Sequence, residues 1–298
     1  MEEVDLPEPL PTEIRMHVHA AGVNPVDAKT RAGRGMAAVL GEPPFTLGWD
    51  VAGVVDQVGA GVTRFAPGDR VFGMPWFPRQ AGGYGEVVTA PSRHFARTPE
   101  GLDHVSAAAL PLAGLTAWQL LVDTAGVEAG DRVLVHAGAG GVGHLAVQIA
   151  RARGAHVVTT ARAERHDWLR QLGAQQVIDH TSQELERETG DLDLVVDLVG
   201  SEDTGLRSLE VLRRDGLYVG VPSGMPDRVT QEAAARGRRA TAFLVEPDHA
   251  GLEQLAALVD EGRLRAAVER TFPLEGAAAA HEHLEQGHTR GKLVLEVG

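Results

Sequence analysis

RVLVHAGAGGVGHLAVQIARARGAHVVTTAR, residues Arg132 to Arg162, decides the fold. Arg132 to Ala137 is a short β-branched run and Gly138 to Gly143 spells G-x-G-x-x-G. Leu145 to Arg153 then repeats apolar residues at helical spacing, and Val157 to Thr159 resumes strand character. That order is one βαβ unit. It presents a helix N-terminus, with free N–H groups and partial positive charge, to an anionic pyrophosphate. Gly140 lets the backbone approach such a group, and Gly143 lets helix and strand pack. Glycine also punctuates ordinary turns; the strand before, the helix after and the second strand at the expected distance favour a dinucleotide cradle.

The end of the second strand bears on which nucleotide. NAD sites carry an Asp or Glu about 20 residues past the first glycine, bonded to the ribose 2′-hydroxyl. This chain has Thr159, Thr160, Ala161 and Arg162 there, with Arg165 a turn later. A carboxylate repels a 2′-phosphate, whereas hydroxyls and arginine bond it, so the reading is NADPH. The plainer alternative is a solvated arginine on the following helix.

Working outward, 298 residues exceed what one core usually supports, so two domains are expected. Residues 1–101 are many short strands with glycine turns: Glu13 to Ala20, Leu47 to Val58, Val71 to Met74 and Glu86 to Thr89. Asn24, Pro25 and Asp27 open a short helix reaching Arg31, with Asn24 or Asp27 able to cap it. Residues 102–241 alternate helix and strand, implying a parallel sheet. Strands are expected at Gln176 to Asp179, Leu192 to Leu198 and Gly216 to Val221, with a helix at Ser208 to Arg213. Around Arg236 to Ala242 the chain is expected to leave that sheet. Residues 242–298 hold an amphipathic helix, Asp248 to Glu261, a second at Ala277 to Gln286, and a last strand, Lys292 to Val297.

Composition narrows the chemistry. There are no cysteines, which removes disulfides, thiolate catalysis and cysteine-ligated zinc. A net charge of −13 opposes a nucleic-acid or anionic-membrane surface. The acidic, proline-studded start MEEVDLPEPLP is unlike a signal peptide, so the expected compartment is the cytoplasm. His17 and His19 share a strand face without a third ligand, and His281 and His283 lie two apart on a helix, so neither pair suggests a metal.

With those residues in view, the chain resembles the zinc-free quinone oxidoreductases, similar to zeta-crystallin, of the medium-chain dehydrogenase/reductase superfamily. The stretches carrying the resemblance are AAGVNPVDAKTRAG (Ala20 to Gly33), LGWDVAGVV (Leu47 to Val55), LPLAGLTAWQ (Leu110 to Gln119), AGAGGVG (Ala137 to Gly143) and FPLEGAAAAHEHLEQGHTRGKLVLEV (Phe272 to Val297). The resemblance implies an α/β fold in which a GroES-like partial β-barrel catalytic domain is joined to a Rossmann doubly wound parallel sheet. The C-terminal segment returns to complete the barrel, NADPH lies between the two, and the protein is a homodimer.

By the same resemblance, Asn24 and Thr116 stand near the nicotinamide and its ribose or phosphate, and with Asp50 form the candidate catalytic set. Gly138, Gly140, Gly141, Val142 and Gly143 are the phosphate loop. Thr160 and Arg162 match the adenosine-phosphate pocket, to which the spacing above adds Arg165, and His180 stands where many relatives have a tyrosine near the cofactor phosphate. Val199, Gly200, Val221, Pro222 and Ser223 sit on strand ends flanking the nicotinamide half. Gly48-Trp49-Asp50 replaces the Gly-His-Glu of the zinc alcohol dehydrogenases, so no metal ligand is assigned. The chemistry left is direct hydride transfer to an electron-poor acceptor, a quinone or an α,β-unsaturated carbonyl. Tyr84 and His94 are conceivable proton donors or plain strand residues; Trp49, Trp76 and Phe77 either line an acceptor pocket or pack the core. The alternatives are an enoyl-thioester reductase of a biosynthetic pathway, or an NADPH-binding sensor or structural protein without turnover.

Overall fold

The computed structural model describes residues 6–221 and 225–298. Two compact units are present: Met1–Leu115 with Glu246–Gly298, and Thr116–Val245. The sequence reading places these boundaries at 101/102 and 241/242. The chain stays longer in the first unit because the helix His104–Ala108 packs on five of that unit's strands.

In the first unit the order is β1 (Glu13–Val23), α1 (Pro25–Arg31), α2 (Ala37–Leu40), β2 (Asp50–Val58), β3 (Arg70–Gly73), β4 (Val87–Pro91), β5 (Phe95–Arg97), α3 (His104–Ala108) and α4 (Pro111–Trp118), the last running past Leu115 into the second unit. β1 organises it. Ile14, Met16 and Val18 alternate into the core against Val51, Val55, Val71, Val88 and Phe95. The same strand pairs antiparallel with β2, and with β4 along Glu13 to His17. Two register shifts bend β1 against β2, and β2 passes so close that a Cβ on Gly53 would lie 1.9 Å from the His17 carbonyl oxygen.

The second unit contains β6 (Arg132–Val135), α5 (Gly143–Ala152), β7 (His156–Thr160), α6 (His166–Leu172), β8 (Gln176–Ile178), α7 (Leu185–Glu188), β9 (Leu192–Asp197), α8 (Glu202–Val211), β10 (Leu212–Gly220), α9 (Asp227–Ala235) and β11 (Arg239–Ala242). The strands form one parallel sheet, ordered β11-β10-β9-β6-β7-β8 among the described residues. That is a doubly wound sheet whose strand order reverses between β6 and β9, and ligands of such sheets bind beyond the carboxyl ends of the strands there. Two expectations are corrected. The chain does not leave the sheet at Arg236 to Ala242, because β11 pairs in parallel with β10 from Leu217↔Arg239 to Gly220↔Ala242. Its residues, RATA, are small or polar and only part-buried at the sheet edge, so they carry no apolar run. Likewise, helix α8 ends at Val211, and Leu212 and Arg213 already begin β10.

The chain then returns to the first unit through α10 (His249–Asp260), β12 (Val268–Pro273), α11 (Ala277–Glu285) and β13 (Lys292–Glu296). Asp248 caps α10 by accepting from the N–H groups of Ala250 and Gly251, at 2.9 and 2.7 Å. β13 is paired on one side by β1 and on the other by β12, completing the sheet order β12-β13-β1-β2-β3-β5 with β4 also on β1. No helix among the described residues is long and apolar enough to cross a membrane.

Candidate active site

In the second unit the glycine corner stands at the carboxyl end of β6. Its glycines have different physical reasons. A Cβ on Gly138 would fall 1.9 Å from Thr159 Oγ1, and one on Gly143 would fall 2.3 Å from the Ala137 carbonyl oxygen, so packing within the fold demands both. A Cβ on Gly140 would meet only the Ala137 oxygen, at 3.3 Å. The fold would have to yield by only a few tenths of an ångström there, far less than at Gly138 or Gly143. Beyond Gly140, the backbone N–H groups of Gly141 and Val142 have no partner among the described residues, and α5 begins directly after them at Gly143. Free N–H groups, a positive helix end and an absent side chain suit a pyrophosphate.

The remaining candidates of this unit gather along the same edge of the sheet. Arg162 follows β7, is exposed, and its guanidinium makes no ion pair or hydrogen bond among the described residues; Arg165 is half-buried on the next turn. His180, exposed, follows β8. Val199 and Gly200 follow β9, where the Asp197 carboxylate accepts their N–H groups at 2.7 and 3.0 Å and the Tyr218 phenol at 2.6 Å. The Val221 N–H reaches the Asp197 carbonyl at 3.0 Å. Pro222 and Ser223 lie outside the described residues. Thr160 has a different part from the expected phosphate contact. Its hydroxyl is buried, accepting from the Ala137 N–H at 3.1 Å and meeting His136 Nδ1 at 3.2 Å, so it braces the loop from within. Thr116, the first residue of this unit, is buried in α4.

In the first unit Asn24 and Asp50 are brought together. Asn24 stands just before α1, and its Nδ2 donates to Asp50 Oδ2 at 2.8 Å. Lys292, the first residue of β13, donates to Asn24 Oδ1, to the Val23 carbonyl at 3.1 Å and to Asp50 Oδ2 at 3.2 Å. An acceptor on one end and a cation on the other fix the carboxamide, since a flip would set its NH2 against the ammonium. One Nδ2 proton of Asn24 has no partner among the described residues. Asp50 Oδ1 takes the Leu112 N–H at 2.6 Å, so both its oxygens are bonded, and its exposure is 0%. Burial pushes its carboxyl pKa up, while Lys292, Asn24 and the Leu112 N–H draw it back. With no surface to offer a reactant, Asp50 holds Asn24 and Lys292 in place.

A second buried group adjoins it. Asp27 Oδ2 accepts the Asn24 N–H at 2.7 Å, half of a capping box, and its Oδ1 has no hydrogen-bond partner among the described residues. Burial first, then the nearby Asp50 charge, raises its carboxyl to about 7, against the pull of the Asn24 N–H, Lys292 and Tyr84. The Tyr84 hydroxyl faces Asp27 and lies 3.2 Å from His281 Nε2, while His283 turns to Glu269 at 2.8 Å, so the two helix histidines do diverge. His94 Nδ1 accepts the Trp76 N–H at 3.1 Å, a brace within the strands. Trp49 is buried edge-on against Phe77 with its Nε1 on the Arg79 carbonyl, which is core packing. Lys292 and the Tyr84–His281 contact were not legible as site features. The one signal was a lysine directly before the apolar run Leu293 to Leu295.

The donor set at Asp50 does not fit zinc. A lysine ammonium and an amide occupy its oxygens, the chain has no cysteine, and no three His, Asp or Glu residues among those described cluster as metal ligands would.

Comparison with known proteins agrees with this architecture. Residues 10–100 match the alcohol dehydrogenase GroES-like domain, and residues 172–295 match a model described as zinc-binding dehydrogenase. The structure of the quinone oxidoreductase from Coxiella burnetii superposes with a TM-score of 0.93 at 42% identity, covering 99% of this chain and 93% of that one. The Escherichia coli quinone oxidoreductase complexed with NADPH gives 0.85 at 28% identity, covering 99% and 94%. A 2-haloacrylate reductase from a Burkholderia species is 37% identical over 318 residues, 99% of this chain and 93% of the relative. By fold, by glycine corner and by likeness along nearly its whole length, the chain belongs to the quinone oxidoreductase family of the medium-chain dehydrogenase/reductase superfamily.

Proposed function

We propose that the chain is an NADPH-dependent reductase that delivers hydride, without a metal, to a small quinone or α,β-unsaturated carbonyl, and that it works as a homodimer. The observation that carries this reading is Gly140, a glycine that packing within the fold demands far less than Gly138 or Gly143, beside two unpartnered N–H groups at a helix start. The names of the relatives supply the acceptor class. A quinone and a 2-haloacrylate are both electron-poor conjugated systems.

The N–H groups of Gly141 and Val142 and the start of α5 hold the pyrophosphate. Arg162, exposed and uncommitted at the end of a strand with no carboxylate, takes the 2′-phosphate. A charge-assisted bond of about 1.5–3 kcal/mol gives roughly a tenfold to hundredfold preference over NADH. When bound, the cofactor supplies a hydride from its reduced nicotinamide. Asn24, aimed by Lys292 and Asp50, offers its remaining N–H to the nicotinamide amide or to the acceptor oxygen where negative charge develops. The second hydrogen arrives as a proton from water.

Loss of NADPH absorbance with a quinone panel, an enal panel and a crotonyl thioester tests the acceptor. Turnover of quinones or enals supports the reading, and turnover of the thioester alone assigns an enoyl-thioester reductase. Stabilisation by NADPH with no turnover leaves a sensor or structural binder. Arg162→Glu is expected to abolish the preference for NADPH over NADH; an unchanged preference removes Arg162 from the pocket. A monomeric mass by light scattering removes the dimer.

A further inference from the structure

We infer that His136 is a positioning residue for the dinucleotide corner, acting through the Thr160 hydroxyl on the backbone of Ala137. The inference rests on the cofactor reading above and names how that corner is held.

The hydrogens of this buried line can be assigned from one end. Ser208 Oγ donates to the Thr204 carbonyl at 2.7 Å, one turn earlier in α8, so its oxygen is left to accept. The group it meets is His136 Nε2, at 2.9 Å, which must therefore carry the ring proton. Nδ1 is then a bare acceptor. The Thr160 hydroxyl, 3.2 Å away, donates to it and is left to accept the Ala137 N–H at 3.1 Å. All donors point one way, from Ala137 through Thr160, His136 and Ser208 to Thr204. Thr160, His136 and Ser208 are buried, so water cannot substitute.

What the line holds is an unusual backbone. Ala137 has φ of +51°, in the left-handed region that an alanine seldom adopts and that persists only where the surroundings over-determine it. Two bonds from Thr160 do so: its hydroxyl takes the Ala137 N–H and its carbonyl takes the Gly138 N–H at 3.0 Å. Ala137 in turn accepts the Gly140 N–H at 3.0 Å, so its conformation sets the direction in which the loop presents Gly141 and Val142. Burial keeps the His136 imidazole neutral, with a pKa of about 4, in the field of Asp197, Arg207 and His180, so the acceptor at Nδ1 persists at neutral pH.

The two ring nitrogens can be separated by substitution. In His136→Asn the amide oxygen stands in for Nδ1 and keeps the acceptor for Thr160. In His136→Gln the amide nitrogen stands in for Nε2 and keeps only the bond to Ser208. NADPH affinity, read by fluorescence titration, is expected within about threefold of wild type for His136→Asn and weaker by about tenfold for His136→Gln, at comparable melting temperatures without nucleotide. Thr160→Ser is expected to bind as wild type and Thr160→Val to weaken about tenfold, and the His136→Gln/Thr160→Val pair to add nothing further. Equal affinities for the Asn and Gln variants, or wild-type affinity in Thr160→Val, overturn the inference and leave the cofactor reading intact. Failure of the wild-type protein to bind NADPH overturns both.

Discussion

Asp27 makes stability depend on pH in a direction opposite to most carboxylates. The residue is fully buried, and its carboxyl is raised from 3.8 to about 7 by burial and by the neighbouring Asp50 charge. In the unfolded chain the carboxyl loses its proton near pH 4, while in the folded protein it keeps the proton until about pH 7. Between those values the folded state binds more protons, so stability falls as pH rises and levels off above about 7. A shift of about three units, at about 1.4 kcal/mol each, amounts to about 4 kcal/mol across the whole window. Asp27→Asn removes the titration but leaves an amide oxygen for the Asn24 N–H. Urea unfolding, followed by the fluorescence of Trp49 and Trp76 in the same unit, is the measurement. From pH 5 to pH 7 the stability of the variant should gain about 2–3 kcal/mol on that of the wild type, with little further gain at pH 8. The histidines whose pKa values burial lowers, among them His94, His104 and His281, act in the other direction but cancel in the difference between the two proteins. A difference that stays constant from pH 5 to pH 8 would refute a protonated Asp27.

The two kinds of glycine in the corner should separate experimentally. Gly138→Ala drives a Cβ onto Thr159 Oγ1, itself pinned to the Val135 carbonyl at 2.6 Å, and should cost about 1–3 kcal/mol of stability in a thermal melt without nucleotide. Gly140→Ala should lower the melting point much less than Gly138→Ala yet bind NADPH at least about tenfold more weakly; a comparable loss of stability with intact affinity would reverse the assignment. Lys292→Met leaves Asp50 buried without its cation and should cost about 3–5 kcal/mol, with Asp50→Asn/Lys292→Met recovering more than 1 kcal/mol of that in urea unfolding. No recovery in the double variant would mean that packing, not charge, is what Lys292 supplies.

What could be read from the sequence follows the reach of each interaction. β6, α5 and β7 were legible because strands buried on both faces are continuous β-branched runs and the glycine corner lies between them. β11 was not, because an edge strand half in solvent needs no apolar run. Asn24 and Asp27 were legible as caps, and Asp27 does accept the Asn24 N–H. Their partners Asp50, Lys292 and Tyr84 come from other strands and loops, and no local period announces them. Thr160 reads in the sequence as a hydroxyl for the 2′-phosphate, and His136 as one residue of the run Arg132 to Ala137. Only the pairing of β6 with β7, and of β6 with β9 ahead of α8, brings them and Ser208 into one line.

The two polar lines solve one problem in the same way. A group that must point one way, or that holds another in place, has to be aimed, and a single hydrogen bond aims poorly because amides and hydroxyls can turn. Asn24 is fixed by a donor on its oxygen and an acceptor on its nitrogen, and Thr160 by a donor on one side of its hydroxyl and an acceptor on the other. In each case reversing the group sets like against like, donor on donor, and strands a buried polar atom at a cost of about 1–3 kcal/mol. Each line also ends on something that cannot turn: the Lys292 ammonium and the fully bonded Asp50 carboxylate in the first unit, the α8 backbone carbonyl of Thr204 in the second. The direction of the working group is thereby set by the folded scaffold; in the function proposed above, the groups so aimed at the cofactor are one N–H of Asn24 and the backbone of Gly141 and Val142.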